Sequence, residues 1–225
     1  MTKMENLQNQ NYWNKRYSSG GKSGEGSIGK YRDFKWRVIT QYVHIIDDVL
    51  DIGCGDLSFW EGRDCEHYTG VDISPNMIEK NRKIKSNWNF IISHAEKKLN
   101  LTADLVICND VLFHIMDDAI FEKILNNLCE YSNKYIFIFT WNKNPFIKFQ
   151  YRLNLLSSLR FDLFLRFLLL DNTSDGKYQK YRDLSNYYRI FKEAGFDLVN
   201  IHPAPIKPYI GAMYVFRKKN DKLIY

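Results

Sequence analysis

From Asp47 onward the chain repeats one pattern: a short apolar run, a turn, then residues at helical spacing. Val49-Leu50-Asp51-Ile52 runs into a glycine turn, and Tyr68-Thr69-Gly70-Val71-Asp72 forms a second run. Ser74-Pro75 then opens a helix that continues to about Ser86, because Ser caps free amides and Pro is tolerated at the first helical position. Asn89 to Ile92 and Ala103 to Cys108 read as the third and fourth strands, a helix spans about Asp117 to Tyr131, and Tyr135 to Thr140 is the fifth strand. Strands that alternate with helices imply a parallel sheet covered on both faces. A helix ending near Ala194-Gly195 and strands at Phe196 to Ile201 and Tyr209 to Arg217 complete the count, with the last pair able to form an antiparallel hairpin. The expected fold is therefore α/β: a doubly wound, mostly parallel, seven-stranded sheet in one domain over residues 1–225, with a helical insertion at 143–180.

Composition narrows the function classes. The hydrophobic share of 45% and charged share of 26% fit a folded chain of 225 residues. Lys plus Arg outnumber Asp plus Glu by 32 to 26, so the net charge of +6 favours anionic partners, yet no basic run concentrates it. Cys54, Cys65, Cys108 and Cys129 form no CxxC pair, and His44, His67 and His202 are scattered, so neither a disulfide framework nor a metal site is expected. Reduced thiols and a polar start at Met1 to Gln10 point to a cytoplasmic protein. The segment Phe146 to Leu170 is aromatic and leucine-rich but carries Lys148, Arg152, Arg160 and Arg166. It reads as a cap over a site, with a membrane-surface helix or a dimer contact as rivals; its charges argue against a span.

Ligands of a doubly wound sheet sit beyond the carboxyl ends of its strands. Three motifs fall there. In Asp51-Ile52-Gly53-Cys54-Gly55-Asp56 the glycines let backbone approach a ligand, and Asp51 can accept a hydrogen bond. Asp72 ends the second strand, placed for the two hydroxyls of a ribose. Asn109-Asp110-Val111-Leu112-Phe113-His114 follows the fourth strand. A dinucleotide site would want a glycine where Ser58 stands, and Asp51 would repel a pyrophosphate but suit a cationic headgroup.

On these motifs, with Gly70-Val71-Asp72-Ile73-Ser74 and the continuation to Ile115, the chain resembles the class I S-adenosylmethionine-dependent methyltransferases over roughly Tyr12 to Arg217. The resemblance implies that Gly53, Cys54 and Gly55 line the methionine part of S-adenosylmethionine, with Asp51 near its amino group. It places Asp72 on the ribose, Ile73 and Met77 against the adenine, and His94, Ala95 and Glu96 beside it. Asn109, Asp110 and Val111 join the cofactor set. Leu57 departs from a family in which many members carry a third glycine there.

Trp13-Asn14-Lys15-Arg16-Tyr17, the loop Gly21 to Ser27, Phe34-Lys35 and the Asp110 and His114 pair are similar to a bacterial subgroup associated with surface polysaccharide and glycoconjugate modification. In that subgroup Trp13 and Tyr17 would cover the cofactor, and the loop reads as a lid. The implied reaction is O-methylation of a small or sugar-linked acceptor, including phosphoryl-linked ones. His114 is the candidate base and Asp110 its orienter or a substrate contact; Lys30, Arg32 or Lys35 would hold an anionic acceptor. Structural rivals stand beside each role. Asp72 could cap the following helix, His114 could be a structural histidine, Cys54 a small residue that fits, and Lys30, Arg32, Lys35 and Arg37 a solvated helix face. Nucleic-acid or amine N-methylation is weakened by the lack of an Asp/Asn-Pro-Pro-Tyr segment after the fourth strand. A non-catalytic cofactor-binding scaffold is the alternative from outside enzymology.

Overall fold

The computed structural model describes residues 11–17, 19–21, 23–143, 179–206 and 211–219. Helix α1 covers residues 11–17 and α2 Gly29–Tyr42. Strand β1 is Asp48–Ile52, β2 His67–Asp72, α3 Pro75–Ile84, β3 Asn89–Ile92 and β4 Ala103–Asn109. Helix α4 is Asp118–Tyr131, β5 Ser132–Lys143, β6 Arg182–Asp183, α5 Leu184–Glu193, β7 Phe196–Pro203 and β8 Gly211–Lys218. The sheet order is β3-β2-β1-β4-β5-β8-β7, with the two-residue β6 pairing parallel to β5 beside the main path. β1 to β5 are mutually parallel, and β8 runs antiparallel to both its neighbours. The hairpin strand β8 is thus interior, and only β7 of the final pair is an edge.

Strict alternation of side chains decides which residue serves which face. Leu50, Ile52, Val106, Cys108, Ile136, Ile138, Tyr214 and Phe216 pack beneath α4 and α5, against Ile124, Leu128, Tyr187 and Phe191. Their neighbours Val49, Leu105, Ile107, Phe137, Phe139, Met213 and Val215 face the other way, onto Phe34, Val38 and Ile39 of α2 and Ile78 of α3. Burying each such side chain stabilises the fold by roughly 1.5–3 kcal/mol. Two uncovered faces would leave β1, β4 and β5 in water, so the helices on both sides are obligatory.

Helix starts differ in detail from expectation. Asp117 caps α4, its carboxylate accepting from the Ile120 amide at 2.9 Å. Ser74 stands at the start of α3 with Pro75 behind it, but its hydroxyl does not cap the helix. It donates instead to Asn14 Oδ1 at 2.7 Å, which ties α1 down onto the sheet. Apart from its ends, the 143–180 insertion lies outside the described residues, as do its Phe146 to Leu170 core and the first two residues expected in the last strand. At its two ends, the backbone of Lys143 on β5 is in register with Asp183 on β6, and the Lys180 amide donates to the Phe113 carbonyl. Among the described residues no helix is long and apolar enough to cross a membrane.

Leu57 has φ +60°, in the left-handed region that glycine occupies without strain. Its side chain is buried with Phe59 and Trp60, and that burial offsets the backbone cost. Both Leu57→Gly and Leu57→Ala are expected to lower stability in urea unfolding, but the glycine variant should be the more stable by about 1 kcal/mol. Equal stabilities, or a better alanine variant, would contradict the left-handed assignment.

Candidate functional site

The carboxyl ends of β1, β2 and β4 open into one cleft, with about 880 Å³ of empty space counted out to solvent. Its floor is the turn after β1. The amides of Gly53 and Cys54 both donate to the Val71 carbonyl, at 2.7 and 3.1 Å, folding the chain sharply back over β2. Gly53 has φ +79° and Gly55 φ +56°. A Cβ on Gly53 would overlap Val111 Cγ2, and one on Gly55 would lie 2.5 Å from Ser23 Oγ, so neither position admits a side chain.

Asp72 grips this turn. Its Oδ2 accepts from the Gly55 amide and its Oδ1 from the Ser74 amide, both at 2.9 Å. The bond to Ser74 serves the helix start, the structural rival considered above, and the same side chain also lines the cleft. Burial pushes the Asp72 carboxyl above its ordinary value, while amides of Ser74, Gly55 and Ile73 pull it back. Each carboxylate oxygen keeps a further lone pair for a ligand hydroxyl.

Trp13, Tyr17, Gly53, Gly55, Asp72, Ile73, Ala95, Glu96, Asn109, Asp110, Val111 and His114 all line the cleft. Asp51, Cys54 and Met77 do not. On β1, Leu50 and Ile52 point to one layer, so Asp51 points to the other, into the aromatic cluster around Trp60. There its Oδ2 accepts from Trp60 Nε1 at 2.8 Å and from the Tyr68 hydroxyl at 3.0 Å. Burial lifts its carboxyl from 3.8 to about 6. Cys54 faces the same layer, packs against Gly70, and has its thiol pushed well up by burial, so it is the small fitting residue and no nucleophile. Met77 is buried in the first turn of α3.

A roof comes from the amino-terminal segment. Trp13 stacks on Tyr17 at 5.7 Å and meets the His114 ring edge-on at 5.5 Å. Ser23 and Asp56 interlock: the Ser23 amide donates to Asp56 Oδ2 at 2.8 Å, and the Asp56 amide to Ser23 Oγ at 3.2 Å. His114 closes a 3₁₀ turn at Leu112–His114, is 8% exposed, and also contacts Phe113 at 4.1 Å.

Asp110 has φ +60°, and its carboxylate is paired with Lys35 Nζ of α2. This corrects one expectation: Lys35 is not on a solvated face but wholly buried. Burial lowers the Lys35 ammonium below its ordinary value, and Asp110 pulls it back up. Arg32 is also engaged, with Glu61 and the Ser58 carbonyl, while Lys30 is exposed.

S-adenosylmethionine carries a sulfonium, an amino-acid end and ribose hydroxyls. The residues suit it: Asp72 and Glu96 for positive charge and hydroxyls, bare glycine backbone for close approach, and Asn109, whose buried amide Nδ2 and Oδ1 have no protein partner. Among the described residues no group of three or more His, Cys, Asp or Glu could hold a metal ion.

Residues 47–148 match the family described as methyltransferase domain. No curated protein matches the chain in sequence. Among solved structures, it is similar to magnesium protoporphyrin IX methyltransferase (ChlM) from Synechocystis PCC 6803 with bound S-adenosylhomocysteine. That likeness has a TM-score of 0.64 at 16% identity, and covers 96% of this chain and 100% of that one. The N-methyltransferase NodS from Bradyrhizobium japonicum WM9, also holding S-adenosylhomocysteine, gives 0.59 at 12%, covering 84% and 88%. An S-adenosylmethionine-dependent methyltransferase from Clostridium acetobutylicum ATCC 824 gives 0.59 at 12%, covering 87% and 94%. Residues 47–148 thus carry the match to a methyltransferase domain, and the chain as a whole shares the fold of these structures, of which the ChlM ones hold S-adenosylmethionine or S-adenosylhomocysteine.

The raised Asp51 carboxyl has a signed consequence for stability. A carboxyl whose folded value lies above its unfolded value favours the fold when protonated, and that contribution is lost as pH rises from about 4 through about 6. Asp51→Asn, which cannot ionise, should therefore gain melting temperature relative to wild type between pH 4 and 6, then hold a constant difference above. A pH-independent difference in calorimetric scans would contradict the burial of an ionisable Asp51.

Proposed function

We propose that the protein methylates an oxygen of a small or sugar-linked acceptor, with His114 as the base. The observation that carries this is a histidine almost withdrawn from water yet lining the cofactor cleft, beside Asp110 and Val111 at the end of β4. When bound, S-adenosylmethionine supplies a methyl carbon activated by positively charged sulfur. What remains for the chain is to hold the acceptor in line and to take its proton. Positioning alone can supply up to about 7–11 kcal/mol. A hydroxyl acceptor needs its proton removed, and an imidazole titrates in the range where that is effective, contributing typically 10²–10⁴-fold. Trp13 and Phe113, both packed on the ring, would fix its plane and exclude water.

The charges around the cleft favour a neutral hydroxyl acceptor over an anionic one. Asp72, Glu96 and Asp110 line it, and of the three cations considered for an anion Lys35 is paired with Asp110 and Arg32 with Glu61, while Lys30 is exposed outside the cleft lining. Lys180, whose amide donates to the Phe113 carbonyl, and Arg182 both pair with Asp118. A sugar hydroxyl agrees with the surface-glycoconjugate subgroup that the amino-terminal motifs resemble, in capsule or other polysaccharide assembly. The 143–180 insertion returns to Phe113 at Lys180, which is consistent with a cap over the acceptor.

A screen of tritiated-methyl transfer to free, phosphorylated and nucleotide-linked sugars tests the acceptor class; incorporation only into nucleic acid or amines would overturn it. His114→Ala should lower turnover at least 10²-fold with cofactor affinity changed less than severalfold. Undiminished turnover removes His114 from the chemistry. Asp72→Ala should abolish calorimetrically measurable S-adenosylmethionine binding, and an unchanged affinity would refute its role at the ribose.

A further inference from the structure

Lys35 is where the helical pattern calls for an apolar residue. It lies four positions after Tyr31 and one after Phe34, on the stripe that α2 buries against the sheet, and its own exposure is 0%. An ammonium there is costly to desolvate unless it is fully engaged. Three groups engage it. Its Nζ donates to the Gly26 carbonyl at 2.9 Å, pairs with Asp110 Oδ2, and sits 4.1 Å from the centre of the Phe139 ring. These partners belong to otherwise separate parts of the cleft. Gly26 is the middle of the 3₁₀ turn Glu25–Ser27, whose neighbours Ser23, Gly24 and Ser27 line the cleft from above. Asp110 is the left-handed residue after β4, between the cleft-lining Asn109 and Val111, and Val111 in turn presses on Gly53.

We propose that Lys35 is a positioning residue for the cofactor: its buried ammonium fastens the amino-terminal loop to the turn after β4 and so fixes two walls of the site at once. It touches no ligand; it acts through Gly26 and Asp110. The charge matters as much as the reach. One cation satisfies a backbone carbonyl and a carboxylate together, holds Asp110 in its unusual backbone conformation, and neutralises one of the acids at the cleft. Packing at Gly26 is tight: a Cβ there would collide with the Asp110 carboxylate.

That collision supplies the test. Gly26→Ala changes one methyl in a surface loop, so the core should survive, but the Lys35, Asp110 and Gly26 arrangement cannot. Titration calorimetry with S-adenosylhomocysteine should show binding about tenfold weaker than wild type, with the melting temperature within about 3 °C. Lys35→Met should weaken binding at least as much. Combining it with Gly26→Ala should add little, because both act through one contact. Should Lys35→Met fail to fold, Lys35→Met with Asp110→Asn leaves no unpaired buried charge and takes its place, again with weakened binding. Binding within twofold of wild type in Gly26→Ala, or losses that simply add, overturns the proposal. The inference rests on the cofactor assignment, and the wild-type titration separates the two: a wild type that does not bind the probe defeats the assignment itself.

Discussion

The cleft depends on one carboxylate holding one amide. Asp72 Oδ2 receives the Gly55 N–H, while the Val71 carbonyl just before it receives Gly53 and Cys54. These bonds turn the chain after β1 back across the end of β2, and Asn81 of α3 secures the far side by donating to the Gly55 carbonyl at 2.7 Å. Without that turn there would be no floor: a helix could not start cleanly, Val111 would have nothing to press on, and Ser23 could not reach Asp56. The requirement is also why the position tolerates only glycine. Space at Gly53 and Gly55 is filled by Val111 and Ser23, and both residues have positive φ.

The sheet's parity explains which parts of the site were legible in the sequence. Strand order and helix placement follow from alternating apolar runs, and those are visible residue by residue. The cleft-lining glycines, Asp72, Asn109 and His114 stand at strand ends, where the chain leaves the sheet and a motif marks them. Asp51 was misdirected by the same motif. It precedes the glycines in sequence, but the two-residue period that sends Leu50 and Ile52 to one layer sends Asp51 to the other, onto Trp60 and Tyr68. Counting alternation along β1 would have found this. Ser74 was assigned to its own helix because local capping is the common use of such a residue. Its partner Asn14 is sixty positions away, and no local pattern announces it.

Lys35 was readable and missed for a different reason. Charged residues on a surface helix are ordinarily solvated, so four cations between Lys30 and Arg37 looked like an outer face. The helical spacing from Tyr31 to Val38 runs directly through position 35, however, and places it inward. A lysine on an apolar stripe needs a partner of opposite charge, and the half-buried Asp110 is the acid that the turn after β4 supplies. The pairing holds the Asp110 carboxylate against α2, while Trp13 and Phe113 pack on the His114 ring.

These placements also constrain the chemistry. A sulfonium donor is a cation, and acids at its site lower the free energy of the bound state; the same acids would raise that of an anionic acceptor held close by. The cleft resolves this by balance. Asp51 is turned away into the aromatic layer, Asp110 is paired with Lys35, and Asp72 is spent on the glycine turn with lone pairs left for hydroxyls. Negative charge is therefore confined to where the donor's cationic and hydroxylated parts would lie. Trp13 and Phe113 pack on the His114 ring, and Asp110, four residues before it in the same cleft, is already paired with Lys35. An acceptor whose reacting group is uncharged fits that division of labour, because it asks for removal of one proton at the moment of transfer and for no counter-ion beforehand.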